Sequence, residues 1–296
     1  MDREKLDKEL DFLSDACAKA TERYVLAYQL IANVLAVIVL TVVGTIALTL
    51  LGKGAFAKIL GFIIGAIALG SAGIILASGA AAVHRRIFSP PASSYESPWQ
   101  PLLQFLQRNC SALSGGYGIF FAAFVAIMCI LLVPAAVARV PAVGPVLFAV
   151  LLIPMVLVAA VGVLSLLVGT FVVPADVALR EQDVKGTATT VFGNTFRKLL
   201  NCLRCLGSAY VAAFLVGLPI FALLGVSLFC VKGIAFAVVG VVITESGALV
   251  VASFFMAILI GVAATLPMAF FNVIVGLRYR EIVASQEEET ASDVEP

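Results

Sequence analysis

The sequence predicts an all-α fold, a polytopic membrane bundle of six transmembrane helices, and three observations carry that prediction. The first is composition: 62% of the 296 residues are hydrophobic, only 12% are charged, and the mean hydropathy is +1.11. A soluble domain carries about 25% charged residues, so this chain has too few charges to cover a water-facing surface. The second is spacing. The charges cluster, and the apolar runs between clusters reach the roughly 20 residues that cross a hydrocarbon core of about 30 Å. These runs are continuous rather than alternating, which excludes a β-barrel, and backbone in lipid must satisfy its own hydrogen bonds, which makes them helices. The third is the distribution of Lys and Arg. With six spans, 15 of the 19 basic residues fall on one side of the membrane and 4 on the other, a bias that places both termini in the cytoplasm.

The expected spans are Tyr28–Leu51, Ile59–Val83, Gly118–Ala138, Val143–Val173, Ser208–Val231 and Gly247–Val275. The fourth and sixth exceed the bilayer thickness and must tilt or bend. Pro154, Pro219 and Pro267 mark expected kinks, because proline lacks the amide hydrogen and its ring crowds the preceding turn. The charged first segment has no short apolar region with a cleavage site, so span 1 itself is the expected insertion signal. The chain thus divides into a cytoplasmic amphipathic helix (residues 1–26), a six-span domain (27–277) with cytoplasmic loops at 84–117 and 174–207, and an acidic tail (278–296). Six acids and no base in the last 16 residues predict disorder for the tail.

Patterned sequence concentrates on the cytoplasmic side. Leu6, Leu10, Leu13, Cys17, Ala20 and Tyr24 recur at intervals of 4 and 3, a heptad stripe three repeats long. It can pack on the protein's own loops, lie on the membrane surface, or pair with a partner helix or a second copy. The loop after span 2 holds His84, Arg85 and Arg86, expected to face headgroups, and then an amphipathic helix from Pro98 to Leu113. A second amphipathic helix, Thr187–Leu206, interleaves Arg197, Lys198 and Arg204 with Phe192, Phe196, Leu199, Leu200 and Leu203. Arg85, Arg86, Arg197, Lys198 and Arg204 form a candidate interfacial basic cluster. The plan of an amphipathic helix followed by a transmembrane hairpin recurs three times as a structural pattern. Outside, the apolar stretch Gly233–Thr244 is too short to span and is expected to be re-entrant or interfacial.

Candidate chemistry is sparse. No ionisable residue is expected near the middle of any span, whereas proton-coupled carriers, pumps and intramembrane hydrolases need one there. Asn33, Thr41, Thr45 and Thr49 share an i, i+4 row on span 1. This polar stripe can line a path, bond a neighbouring helix, or bond back to its own carbonyls. Gly61, Gly65, Gly70 and Gly73 make a candidate packing face on span 2, since small residues let helices approach closely. Cys202 and Cys205 form a CxxC without the two further ligands that zinc requires. No catalytic residue, cofactor site, metal site or nucleic-acid signature is recognised.

Phe171-Val-Val-Pro174, then Glu181, then the amphipathic helix Thr187–Leu206 leading into span 5, resembles a pattern in the six-span membrane domains fused to some glycerophosphodiester phosphodiesterases. It is also similar to related stand-alone bacterial families of unknown function. The resemblance implies a bacterial inner-membrane protein with a structural or accessory role. Phosphodiesterase activity does not carry over, because the soluble catalytic domain is missing. The resulting expectation is a non-enzymatic scaffold or accessory subunit, with lipid and a membrane or cytoplasmic protein as partners. A transporter or channel for an uncharged or lipidic substrate is the alternative.

Overall fold

A computed structural model describes residues 3–89, 113, 117–118, 122–123, 126, 144–180, 193, 195, 198–239 and 245–292. Among these residues there is no strand, and seven helices hold most of them: α1 (Arg3–Ala20), α2 (Arg23–Leu51), α3 (Ala55–Phe88), α4 (Gly144–Arg180), α5 (Leu199–Val239), α6 (Glu245–Ala263) and α7 (Thr265–Ser292). Helices α2 to α5 hold 29, 34, 37 and 41 residues. At 1.5 Å per residue they run roughly 44 to 61 Å, longer than the hydrocarbon core. Each contains a stretch long and apolar enough to cross a membrane: Arg23–Leu51, Ala55–Phe88, Val150–Leu179 and Leu199–Val226. A further pair, Phe254–Ala263 and Thr265–Ser285, meets the same test but is bent by 41°. By helix length and composition this is a multi-pass membrane protein. Its surface agrees: Phe56, Phe62, Leu48 and Leu223 are among many large apolar side chains left 70–80% exposed, an arrangement that lipid tolerates and water does not.

The expected third span, Gly118–Ala138, and the expected helix Pro98–Leu113 lie almost wholly outside the described residues. The expected sixth span is two helices, α6 and α7, rather than one. The break falls at Ala264, three residues before Pro267, where the proline ring would collide with the carbonyl of Ala263. Helices α4 and α5 run through Pro154, Pro174 and Pro219 without interruption. Helix α5 begins at Leu199 and passes Gly207-Ser208 unbroken, so the end of the predicted amphipathic helix and span 5 are one element. It continues to Val239; the first half of the apolar Gly233–Thr244 stretch is thus the end of α5 rather than a separate element, and residues 240–244 lie outside the described residues. Helix α7 reaches Ser292, so most of the acidic tail is helical where disorder was expected.

The chain forms two compact units. The first joins Met1–Arg108 to Gly207–Leu277, and the second joins Asn109–Leu206 to Arg278–Pro296. In the first unit, the link Gly52–Gly54 turns α2 back on α3 as an antiparallel hairpin. Its contacts are made by small residues. A Cβ on Gly61 would stand 2.7 Å from the Ala47 carbonyl oxygen and 3.1 Å from Leu51 Cγ, and one on Gly79 would collide with Ala32 Cβ. Ala68 and Ala72 are buried along the same line. Helix α6 crosses α2 at Gly261, where a Cβ would meet Val37 Cγ2 at 3.3 Å. The first half of α7 packs on α5, with the Phe271 and Tyr210 rings 4.9 Å apart and Pro267 against Gly217. In the second unit, Val172, Ala175, Tyr279 and Val283 form a buried cluster flanked by Leu179.

Candidate functional site

The most organised polar site in the first unit lies where α6 breaks. The last four carbonyls of a helix have no intrahelical donor, and in lipid each must find one. The Ile260 carbonyl takes the Ala264 amide at 2.9 Å. The Gly261 carbonyl accepts the Asn33 Nδ2 at 3.3 Å and the Thr265 hydroxyl at 3.1 Å. Asn33 is held for this by its neighbours: Gln29 Nε2 donates to Asn33 Oδ1 at 2.9 Å, and Asn272 Nδ2 donates to Gln29 Oε1 at 2.7 Å. Thr265 Oγ1 stands 3.5 Å from Asn33 Nδ2, and Met268 Sδ lies 3.9 Å from Gln29 Nε2. Gln29, Asn33, Thr265 and Asn272 are all buried. Three helices thus share one chain of amides that closes the break. Gly261 permits it, because a side chain there would hold α2 and its Asn33 away.

The predicted polar stripe divides at this site. Asn33 belongs to the network. Thr41 is half-buried, and Thr45 and Thr49 are exposed beside Val42, Ile46 and Leu48. Their hydroxyls donate to their own helix, Thr45 to the Thr41 carbonyl and Thr49 to the Thr45 and Ile46 carbonyls. The residues that complete the network, Gln29, Thr265 and Asn272, were not singled out from sequence. Gln29 was detectable, since it precedes Asn33 by four on the same row.

The predicted packing face is likewise rearranged. Gly61 and Gly65 meet α2, with a Cβ on Gly65 3.6 Å from Ala47 Cβ, but Gly70 and Gly73 have nothing within 4 Å. The cause is helical phase. At 3.6 residues per turn, Gly70 lies about 180° and Gly73 about 120° around α3 from Gly61, while Ala68 and Ala72 return to within about 20° of it.

Of the candidate basic cluster, Arg85 and Arg86 lie in the first unit, and Lys198 and Arg204 in the second. Arg86 turns inward: its Nε and Nη2 both donate to Glu22 Oε1, at 2.8 and 2.7 Å, and its guanidinium lies 4.7 Å from the Tyr24 ring centroid. Arg85 is half-buried. His84, expected to face headgroups, is instead 1% exposed, stacked near Phe88 and in tight contact with Gly276. Its Nδ1 has no hydrogen-bond partner among the described residues. In the second unit Lys198 Nζ donates to Ser285 Oγ at 3.0 Å, and Arg204 is exposed. Arg197 lies outside the described residues.

The second unit repeats the logic of the first. Pro174 has no amide hydrogen to give the Thr170 carbonyl, four residues earlier. The Tyr117 hydroxyl donates to that carbonyl at 3.1 Å. Two residues after Pro174, Asp176 is fully buried and its Oδ1 accepts the Tyr279 hydroxyl at 2.8 Å. The expected fourth span ends at Val173, with Asp176 in the expected cytoplasmic loop 174–207; α4 instead continues to Arg180 and carries Asp176 inside. Cys202 and Cys205 are buried thiols that form no disulfide. No group of three or more His, Cys, Asp or Glu suited to a metal occurs among the described residues.

No family model, curated protein or solved structure matches this chain.

Proposed function

We propose that this protein is a non-enzymatic membrane scaffold or accessory subunit with six spans and cytoplasmic termini, which holds a partner through its N-terminal helix. The bacterial inner membrane is the setting implied by the resemblance around Phe171 and Pro174. One observation carries the reading. Helix α1 is anchored by Ala16 and Ala20, both fully buried, yet leaves Leu10 and Leu13 at 55% and 46% exposure. Exposed leucines at heptad spacing on a charged helix mark an association surface. The buried polar groups of the first unit support the same view, since Gln29, Asn33, Thr265 and Asn272 are bonded to each other and to backbone rather than turned toward a substrate.

The test is crosslinked affinity purification from native membranes, with the full chain and with residues 3–20 deleted. A stoichiometric protein partner lost on deletion supports the proposal. Unchanged associations after deletion sink it.

A transporter for an uncharged or lipidic substrate is the second reading, favoured by the break between α6 and α7, because discontinuous helices accompany alternating access. Replacing Thr41, Thr45 and Thr49 by valine abolishes flux in liposomes if that stripe lines the path; unchanged flux removes the stripe from any path.

A further inference from the structure

The chain of amides at the α6 break can run in two directions, and the second direction gathers oxygens around one point. Gln29, Asn33, Thr265 and Asn272 all belong to the first unit and are at most 7% exposed. In the structure Asn272 Nδ2 donates to Gln29 Oε1, Gln29 Nε2 donates to Asn33 Oδ1, and Asn33 Nδ2 donates to the Gly261 carbonyl. A primary amide carries its acceptor and its donor on atoms of nearly equal size. A half-turn of all three groups therefore reverses the chain with the heavy atoms in place. Asn33 Nδ2 then donates to Gln29 Oε1, and Gln29 Nε2 to Asn272 Oδ1, at the same separations of 2.9 and 2.7 Å. Only the bond to Gly261 has no counterpart. There Asn33 Oδ1 comes to face the Gly261 carbonyl, acceptor against acceptor, with Thr265 Oγ1 beside both. The two directions thus differ by a single hydrogen bond, and a positive charge held among the three oxygens offsets its loss.

Size and charge select the ion. The three positions stand 3.3, 3.5 and 3.1 Å apart. Edges of that length form one face of an octahedron whose centre lies about 2.3 Å from each corner, beyond the roughly 2.0–2.1 Å that magnesium demands. Calcium fits by distance but is held through carboxylates, and these ligands are an amide, a hydroxyl and a peptide carbonyl. Sodium has nearly calcium's radius and half its charge, and potassium is too wide for a face of this size. The negative end of the α6 dipole supplies the compensating charge. Pro267 adds to it, because it has no amide hydrogen for the Ala263 carbonyl at the same helix end. Carbonyls at the C-terminal ends of broken helices serve sodium in this way in membrane transporters. We propose that Asn33 Oδ1, the Gly261 carbonyl and Thr265 Oγ1 bind a sodium ion, with the Asn272–Gln29–Asn33 chain reversing to admit it. The Thr265 hydroxyl keeps its bond to Gly261 and offers a lone pair. This goes beyond the scaffold reading and does not depend on it.

The test follows thermal unfolding of the full chain in mild detergent, at constant ionic strength, as choline chloride is exchanged for sodium, potassium or calcium chloride. An ion bound only by the folded state raises the midpoint in a saturable way. Sodium should do so, potassium only at higher concentration, and calcium not at all. Thr265→Val removes one ligand and keeps the shape, so it should weaken the sodium response about tenfold or more. Asn33→Asp presents oxygen to the ion whatever the direction of the chain, so it should bind sodium more tightly and gain a response to calcium. Thr45→Val, whose hydroxyl bonds its own helix, should leave the response as it is. If Thr265→Val does not fold, Thr265→Ser, which keeps the ligand, should retain the response, and Asn33→Asp carries the comparison. Identical midpoints in sodium and choline overturn the inference. A sodium response that Asn33→Asp or a folded Thr265→Val leaves unchanged also overturns it, because the ion then binds elsewhere. A calcium response of the unmutated chain as strong as its sodium response does the same. None of these outcomes bears on deletion of α1, so the two readings fail separately.

Discussion

Replacing Tyr117 by phenylalanine isolates one hydrogen bond and asks whether a proline created the need for it. Pro174 deprives the Thr170 carbonyl of its helical donor, and the Tyr117 hydroxyl supplies one at 3.1 Å. Hydrogen bonds inside membrane proteins average about 0.6 kcal/mol and reach about 1.7, while leaving a buried acceptor unpaired costs about 1–3 kcal/mol. Tyr117→Phe, which removes nothing but the hydroxyl, should therefore destabilise by about 1 kcal/mol, roughly a fivefold change in the unfolding equilibrium. Pro174→Ala restores an amide to the Thr170 carbonyl, so in that background Tyr117→Phe should cost no more than about 0.3 kcal/mol. The assay is unfolding in mixed micelles of mild detergent and dodecyl sulfate, followed by proteolysis of the second unit, across the four members of the cycle. Equal costs in both backgrounds would refute the reasoning, because they would show that the hydroxyl serves something other than the proline's orphaned carbonyl.

The other expectations follow the same physics. Asn33→Ala removes donors from the break between α6 and α7 and should cost about 1–2 kcal/mol, whereas Thr45→Val and Thr49→Val should each stay within about 0.5 kcal/mol; the same unfolding assay ranks them. Gly61→Ala puts a methyl against the Ala47 carbonyl and should destabilise by about 1–3 kcal/mol, while Gly70→Ala, in open space, should be neutral or stabilising by up to about 1 kcal/mol. Gly276→Ala drives a methyl into His84 and should lower thermal stability in detergent, and the loss should shrink in a His84→Ala background if that contact is its cause. Arg86→Ala abandons Glu22 and the Tyr24 ring and should cost about 1 kcal/mol; an unchanged melting temperature would show that the pair contributes nothing.

Sequence reasoning located the apolar helices well because their signal is one-dimensional: a run of about 20 apolar residues marks a span whatever it packs against. Five of the six expected spans have helical counterparts, and the third, Gly118–Ala138, lies almost wholly outside the described residues. Partners were harder to read, because they depend on where distant segments meet. Asn33 was visible as a polar residue in span 1, but nothing local ties it to Gly261, 228 residues on. Glycine content pointed to close packing on α3, yet helical phase put Ala68 and Ala72 on the contact face in place of Gly70 and Gly73. Asp176 falls in the expected 174–207 loop for a different reason. Proline commonly ends a helix, but here α4 runs on past Pro174, with the Tyr117 hydroxyl on the Thr170 carbonyl that the proline leaves without its helical donor. The inward turn of Arg86 likewise required Glu22 and Tyr24, on the antiparallel neighbour, to be in place.

The separation between the partners of the buried amide network has a consequence for how the protein is made. The hairpin of α2 and α3 is synthesised early, with Gln29 and Asn33 already inside it. The groups they bond, Gly261 and Asn272, follow 228 and 243 residues later. At a synthesis rate of about 5–20 residues per second this delay is roughly 12–50 s. Throughout it, Gln29 and Asn33 have only their own mutual bond, Gln29 Nε2 to Asn33 Oδ1 at 2.9 Å, and their remaining polar groups are costly to leave unpaired on a helix otherwise suited to lipid. The network closes only once residues 261–272 have been made, which ties completion of the first unit to the C-terminal third of the chain.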